Sequence, residues 1–144
     1  MSVAVTESSI EDLIESFEFL DDWEERYRYI IDMGRKLSPM DEALKTESSR
    51  VQGCTSQVWL VCNPDQEQTP VRLNFIADSD AHIVRGLVAV LMMIFSGRTA
   101  QEILDTDIED ILKRLEFAQH LSPNRANGLH AMVKRIQATA ENYR

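Results

Sequence analysis

Residues 56–77 read SQVWLVCNPDQEQTPVRLNFIA, and this stretch decides the fold class. In 56–62, Val58, Leu60 and Cys62 would point to one side and Trp59 and Val61 to the other, and in 71–77 the residues Val71, Leu73 and Phe75 alternate with Arg72 and Asn74. This alternation is typical of β-strands. The turn-rich connector at 63–70 joins the two runs, so the stretch predicts an antiparallel hairpin. A third short strand over 50–52 is a further expectation.

On both sides of the hairpin the apolar spacing is helical, with recurrences at i, i+3, i+4 and i+7. Residues 38–49, which include Pro39, are predicted as a loop with one short helical turn. The predicted helix starts are Ser8 with Glu11, Asp22 with Glu25, Asp78 or Ser79 before a helix over 80–96, Thr99 with Glu102, Asp107, and Ser122 with Pro123. The whole predicts one α+β domain over residues 1–144, a small antiparallel sheet packed against several α-helices.

Composition narrows the functional classes. The 144-residue chain carries a formal net charge of -9, which disfavours nucleic acid as a partner because its phosphates would be repelled. The most apolar stretch, residues 86–97, is too short for a membrane span, which needs about 20 residues, so it is expected to be a buried helix. The first residues lack the pattern of a signal peptide. Two cysteines in such a chain indicate a reducing, cytoplasmic location.

One cysteine stands in a distinctive place, in RVQGCTSQVWL at residues 50–60. Gly53 allows a sharp turn before Cys54, and Thr55 and Ser56 keep the turn small and polar. A reactive thiol presented on a loop would have these neighbours, but a small buried cysteine at a strand start would fit them too. From the residues alone both interpretations stay open. Cys62, inside a strand pattern, is interpreted as core filler.

Other kinds of site find little support in the sequence. The chain has no CxxC pair, and its two cysteines stand eight residues apart, which is not a usual zinc spacing. His82, His120 and His130 are scattered along the chain. The five glycines form no phosphate-binding loop. Asp78 and Asp80, in DSDA, are interpreted as helix caps rather than as acid–base catalysts.

Four stretches together resemble the SufE family, sulfur-acceptor proteins of iron–sulfur cluster assembly. They are WEERYRYIIDMG at 23–34, VQGCTSQVWLV at 51–61, DSDAHIVRGLVAVL at 78–91 and HLSPNRANGLHAM at 120–132. The resemblance implies the α+β fold shared with IscU-type scaffolds. It implies that Cys54 accepts sulfane sulfur as a persulfide from a SufS-type cysteine desulfurase and passes it to a SufBCD-type scaffold complex. The chain would then be a co-substrate and activator rather than an enzyme, with no bound cofactor, since pyridoxal phosphate belongs to the desulfurase.

The resemblance also assigns supporting residues and leaves alternatives. Gly53, Thr55 and Ser56 form the loop around the thiol, although Thr55 stands where the family more often has glutamine. Arg125, in SPNRANGL, is expected near this loop, or else in ordinary surface contacts. An iron–sulfur scaffold or a thiol redox protein of the same fold is the alternative function. A Csd-type desulfurase as partner and a homodimer both stay open.

A sheltered thiol is a further expectation for such a carrier, because a persulfide is easily reduced or oxidised. The loop over 50–57 is expected to be partly buried in the free protein and to move outward on the desulfurase. Val51, Val58 and Trp59 are expected to form the apolar shelter.

Overall fold

The computed structural model describes residues 7–20, 22–53 and 56–144, so Cys54 and Thr55 lie outside the described residues. Its helices and strands follow one another along the chain in an α+β order. They are α1 (Glu7–Phe19), α2 (Trp23–Lys36), a short 3-10 helix (Glu42–Leu44), β1 (Val58–Asp65), β2 (Arg72–Ser79), α3 (His82–Phe95), β3 (Arg98–Thr99), α4 (Ala100–Asp105), α5 (Ile108–Arg114), α6 (Phe117–His120) and α7 (Pro123–Glu141).

The sheet is antiparallel, with β2 between β1 and β3. β1 and β2 pair over their full lengths, from Val58 opposite Ser79 to Asp65 opposite Arg72, which confirms the predicted hairpin. Alternation sends one set of side chains to the core and the other outward. The core-facing residues of these two strands are Val58, Leu60, Leu73, Phe75 and Ala77.

α3 is the central helix, in contact with α1, α2, α7 and β2. Every residue from Gly86 to Phe95 except Met93 is buried, and this accounts for the apolar run in the sequence. A helix that is apolar all round needs partners on every side. The prediction of a buried helix is therefore confirmed. In the described part of the chain, no helix combines the length and apolarity needed to cross a membrane.

α2 and α3 approach each other closely at two glycines. A Cβ added at Gly86 would lie 2.2 Å from the Ile30 carbonyl oxygen, and one added at Gly34 would lie 2.7 Å from the Gly86 nitrogen. Both contacts are with backbone atoms, which cannot rotate away. Glycine at these positions therefore sets the distance between the two helices.

Four predicted helix starts are confirmed by side-chain caps. Asp22 accepts a hydrogen bond from the Glu25 amide, and Asp107 accepts one from the Asp110 amide. Thr99 and Glu102 form a reciprocal capping box. Ser122 accepts from the Arg125 amide, and Pro123 takes the first helical position. In each case the capping group and the capped amide are neighbours in sequence, so the local pattern was sufficient to predict the start.

Two predicted helix starts are wrong. α1 already begins at Glu7, so Ser8 lies inside the helix rather than at its cap. Asp78 and Ser79 belong to β2, and α3 begins after Ala81, with no side-chain cap hydrogen bond among the described residues. Asp78 is buried instead, in an ion pair of 2.9 Å with the Arg85 guanidinium, and its carboxylate accepts hydrogen bonds from the Met40 and Ser79 amides. These partners, of which the Met40 amide is 38 positions away in sequence, hold it in the sheet.

The predicted third strand over 50–52 is also corrected. Residue Arg50 forms only an isolated antiparallel bridge with Trp59. The third strand of the sheet is β3, on the other side of β2, where Arg98 and Thr99 pair with Leu73 and Arg72. A two-residue strand has too short a pattern to be recognised from the sequence.

Candidate functional site

The loop predicted to carry the thiol is entered by residues 48–53, here called the entering arm. Its backbone pairs with β1: the Leu60 amide donates to the Ser49 carbonyl, and the Val51 amide donates to the Val58 carbonyl, both at 2.8 Å. Val51 is 3% exposed and belongs to the main core. The arm is therefore fixed to the sheet up to three residues before Cys54.

Gly53 ends the entering arm in a backbone conformation that L residues rarely adopt, with φ of +91°. A Cβ added there would also lie 3.3 Å from the Ala131 Cβ on α7. This confirms the sharp turn expected from glycine directly before the cysteine.

The loop is left by Ser56 and Gln57, here called the leaving arm. The Gln57 amide donates to an Asp80 carboxylate oxygen at 3.1 Å, and the Gln57 carbonyl accepts from the Asp80 amide at 3.2 Å and from the Ser79 hydroxyl at 2.8 Å. These three bonds tie the leaving arm to the segment that precedes α3. Asp80, expected as a helix cap, holds the loop instead.

Ser56 borders a cavity of about 380 Å³ between the first turns of α3 and α7, here called the Ser56 cavity. Its apolar wall comes from both helices. The apolar side chains are Ile83, Val84, Leu87, Leu129 and Met132.

The polar part of the Ser56 cavity has a consistent electrostatic character. Ala81 and Ser122, the residues at the N-terminal caps of α3 and α7, both line it, together with Arg125 and Asn124. Helix N-termini carry partial positive charge, which favours nearby anions. Arg125, which is exposed, adds a positively charged residue to this lining.

Two of the predicted site residues therefore meet at one cavity, since both Ser56 and Arg125 line it. Gly53 lies at the end of the entering arm and is exposed. The predictions for Cys54 and Thr55, including the partial burial of the thiol, fall outside the described residues.

The three residues predicted to shelter the thiol divide between two places. Val51 and Val58 are buried in the core, at 3% and 0% exposure. Trp59 is half-buried on the opposite face of β1, where the Lys45 ammonium lies 4.9 Å from its ring centroid. Trp59 is thus engaged with the loop before the hairpin.

Cys62 is half-buried on β1, and burial raises the pKa of its thiol. It packs against the core cluster, as predicted. Within residues 7–20, 22–53 and 56–144, no group of three His, Cys, Asp or Glu side chains is placed to hold a metal ion.

Comparison with known proteins agrees with the resemblance. The family model "SufE: Fe-S metabolism associated domain" matches residues 11–140. The chain belongs to the SufE family. An uncharacterized SufE-like protein of Rhizobium meliloti (strain 1021) is 48% identical over 134 residues, covering 93% of this chain and 96% of that protein. Another from Rhizobium etli is 44% identical over 134 residues, covering 93% and 90%.

The fold also matches a solved structure. The solution structure of a hypothetical protein from Thermus thermophilus superposes with a TM-score of 0.73, over 93% of this chain and 94% of that one. At 18% identity the likeness concerns the fold alone.

Sequence reasoning missed the apolar wall of the Ser56 cavity. Ile83, Val84 and Leu87 recur at helical spacing, as do Arg125, Leu129 and Met132. Such stripes indicate that residues share a helix face, but they do not distinguish a cavity wall from ordinary core. A SufE-family alignment of the two helix starts would have been the signal to use.

Proposed function

We propose that this SufE-family chain carries sulfur for a SufS-type cysteine desulfurase, with Cys54 as the acceptor. The observation that supports it most is the position of the leaving arm of the GCTS loop. Ser56 lies at a cavity that combines apolar walls with two helix N-termini and Arg125. Such a cavity offers an apolar wall and helix N-termini whose partial positive charge would stabilise anionic sulfur.

The chemistry proposed for Cys54 is thiol exchange. Its thiolate attacks the terminal sulfur of the persulfide on the desulfurase cysteine, the sulfur–sulfur bond breaks, and the desulfurase cysteine leaves as a thiolate. No external oxidant or reductant is consumed, since one persulfide is exchanged for another. Positive potential at the acceptor raises the thiolate fraction of Cys54 and so favours the attack.

In this proposal the chain is a co-substrate and activator, not an independent enzyme. The pyridoxal phosphate belongs to the desulfurase, and the persulfide then passes to a SufBCD-type scaffold, in the cytoplasm. Gly53, Thr55 and Ser56 shape the loop, and Arg125 stabilises the persulfide anion.

The test is sulfide release from cysteine by a SufS-type desulfurase, with and without this protein, followed by intact-mass analysis. Wild type, Cys54→Ser and Cys62→Ser are compared, the last as the matched thiol control. We expect faster turnover and a gain of about 32 Da, one sulfur atom, on wild type and Cys62→Ser only.

Two outcomes contradict the proposal. Added mass on Cys54→Ser would place the sulfur elsewhere. No stimulation and no added mass with either a SufS-type or a Csd-type desulfurase would refute the carrier role. Iron-dependent absorbance after incubation with iron and sulfide would favour the scaffold alternative.

A further inference from the structure

Arg135, on α7, binds the entering arm through two of its backbone carbonyls. Its Nη2 donates to the Ser48 carbonyl at 2.6 Å and its Nη1 donates to the Arg50 carbonyl at 3.2 Å. The residues are more than 80 positions apart in sequence. Arg135 is half-buried, and its bond to the Arg50 carbonyl is partly shielded from water, whereas its bond to the Ser48 carbonyl is exposed.

The entering arm begins in a turn, in which the Arg50 amide donates to the Thr46 carbonyl at 3.0 Å, and Arg50 then forms the bridge with Trp59. The Ser49 carbonyl and the Val51 amide bond to β1, while the Ser48 and Arg50 carbonyls bond to Arg135. β1 is an edge strand of the sheet formed by the described residues. The planar guanidinium, with its two donors, therefore ties the turn at Ser48 to the bridge residue Arg50 beside that edge.

We propose that Arg135 is a positioning residue for Cys54, a role that rests on the proposed sulfur-carrier function. By holding two carbonyls of the entering arm, Arg135 fixes the arm against α7. Ala131 stands one helical turn before Arg135 and lies close to Gly53, where an added Cβ would be 3.3 Å from the Ala131 Cβ. α7 thereby sets the position from which the chain enters Cys54.

The experiment uses the free, full-length protein and needs no desulfurase. The rate of alkylation by iodoacetamide is measured at Cys54 and Cys62 separately, by peptide mass. Amide hydrogen exchange is followed at Val51, which bonds to β1 in the arm, and at Ile94, which lies in the buried part of α3. Cys62 and Ile94 report on global unfolding, which a merely structural role would change equally.

Arg135→Gln should raise exchange at Val51 about tenfold and alkylation at Cys54 severalfold, with Cys62 and Ile94 unchanged within about twofold. Arg135→Lys keeps the charge but lacks the paired donors, so its exchange rate at Val51 and its alkylation rate at Cys54 should lie between those of Arg135→Gln and wild type. Arg114→Gln is the matched control. Arg114 also makes two hydrogen bonds, both of 2.9 Å, but they run to Glu11 on α1 rather than to the arm.

Three results would overturn the positioning role. The first is equal acceleration at Cys54 and Cys62, the second is faster exchange at Val51 with unchanged alkylation of Cys54, and the third is the same response in Arg114→Gln. If the positioning role is overturned, the gain of mass expected on the wild-type protein with a desulfurase is not affected. Absence of that gain, with the expected alkylation pattern, would refute the sulfur-carrier proposal and leave Arg135 as the residue that positions the thiol.

Discussion

Replacing Gly53 with alanine tests the idea that the turn before Cys54 depends on glycine. Residue 53 has φ of +91°, and an alanine Cβ there would also press on the Ala131 Cβ at 3.3 Å. Holding an L residue in such a conformation costs about 1–3 kcal/mol. The reduced freedom of the unfolded chain offsets about 0.4–1 kcal/mol of this. We therefore expect Gly53→Ala to lower the free energy of unfolding by about 1–2 kcal/mol.

Gly97→Ala is the matched control, because Gly97 also has a positive φ, of +82°, but lies between α3 and β3. Both variants should lose similar stability in urea unfolding. Only Gly53→Ala should change the alkylation rate of Cys54 and its persulfide yield with a desulfurase. Ala131→Gly in the Gly53→Ala background should recover little, because it relieves the contact and not the backbone strain. Unchanged stability and unchanged Cys54 reactivity in Gly53→Ala would refute this reasoning.

Three further perturbations test the surroundings of the loop. Asp80→Ala removes the acceptor of the Gln57 amide and should speed the alkylation of Cys54, whereas Asp80→Asn keeps an acceptor oxygen and should resemble wild type. Equal alkylation rates in wild type and both variants would exclude Asp80 as an anchor of the loop. Gly86→Ala should lower the free energy of unfolding by about 2 kcal/mol or more, measured in urea, because its Cβ meets the Ile30 carbonyl; a stabilised variant would contradict the close helix approach. The hydrogen bond from the Thr99 amide is the main cause that lowers the pKa of Glu102 below its ordinary 4.5, and the Thr99 hydroxyl and the charges of Arg72 and Arg98 lower it further. The contribution of Glu102 to stability is therefore present above its ordinary pKa and is lost as the pH falls through the lowered pKa. Glu102→Gln should therefore show a flatter acid limb in urea unfolding from about pH 7 to 3, and an unchanged limb would show that Glu102 does not contribute.

The sequence was most informative where the deciding contacts are local. The caps at Asp22, Thr99 and Ser122 involve residues three positions apart, so their patterns predicted the helix starts correctly. The hairpin was predicted for the same reason, since its two strands are joined by a short turn. The family resemblance rested on contiguous stretches and is confirmed by the match over residues 11–140.

Prediction failed where distant segments compete for a residue. Asp78 is of a residue type that commonly caps helices, but Arg85 and the Met40 amide bind its carboxylate at the end of β2. The Ser56 cavity needs two helix starts that stand about 40 residues apart in the chain, and no local pattern reports their convergence.

The loop around Cys54 has a requirement that explains why its supports lie elsewhere. In the proposed function the Cys54 thiol must meet another protein's sulfur and needs small neighbours, and Gly53, Thr55 and Ser56 are residue types with little side-chain surface for packing. On the described arms, the loop is held by the buried side chain of Val51 and by hydrogen bonds to backbone groups. On the described arms, the Ser48 and Arg50 carbonyls bind Arg135, and the Gln57 amide and carbonyl bind the segment before α3. Because these bonds are made to backbone groups, they place little constraint on which side chains the loop carries. The sequence of residues 50–60 therefore does not predict that Arg135 binds this arm.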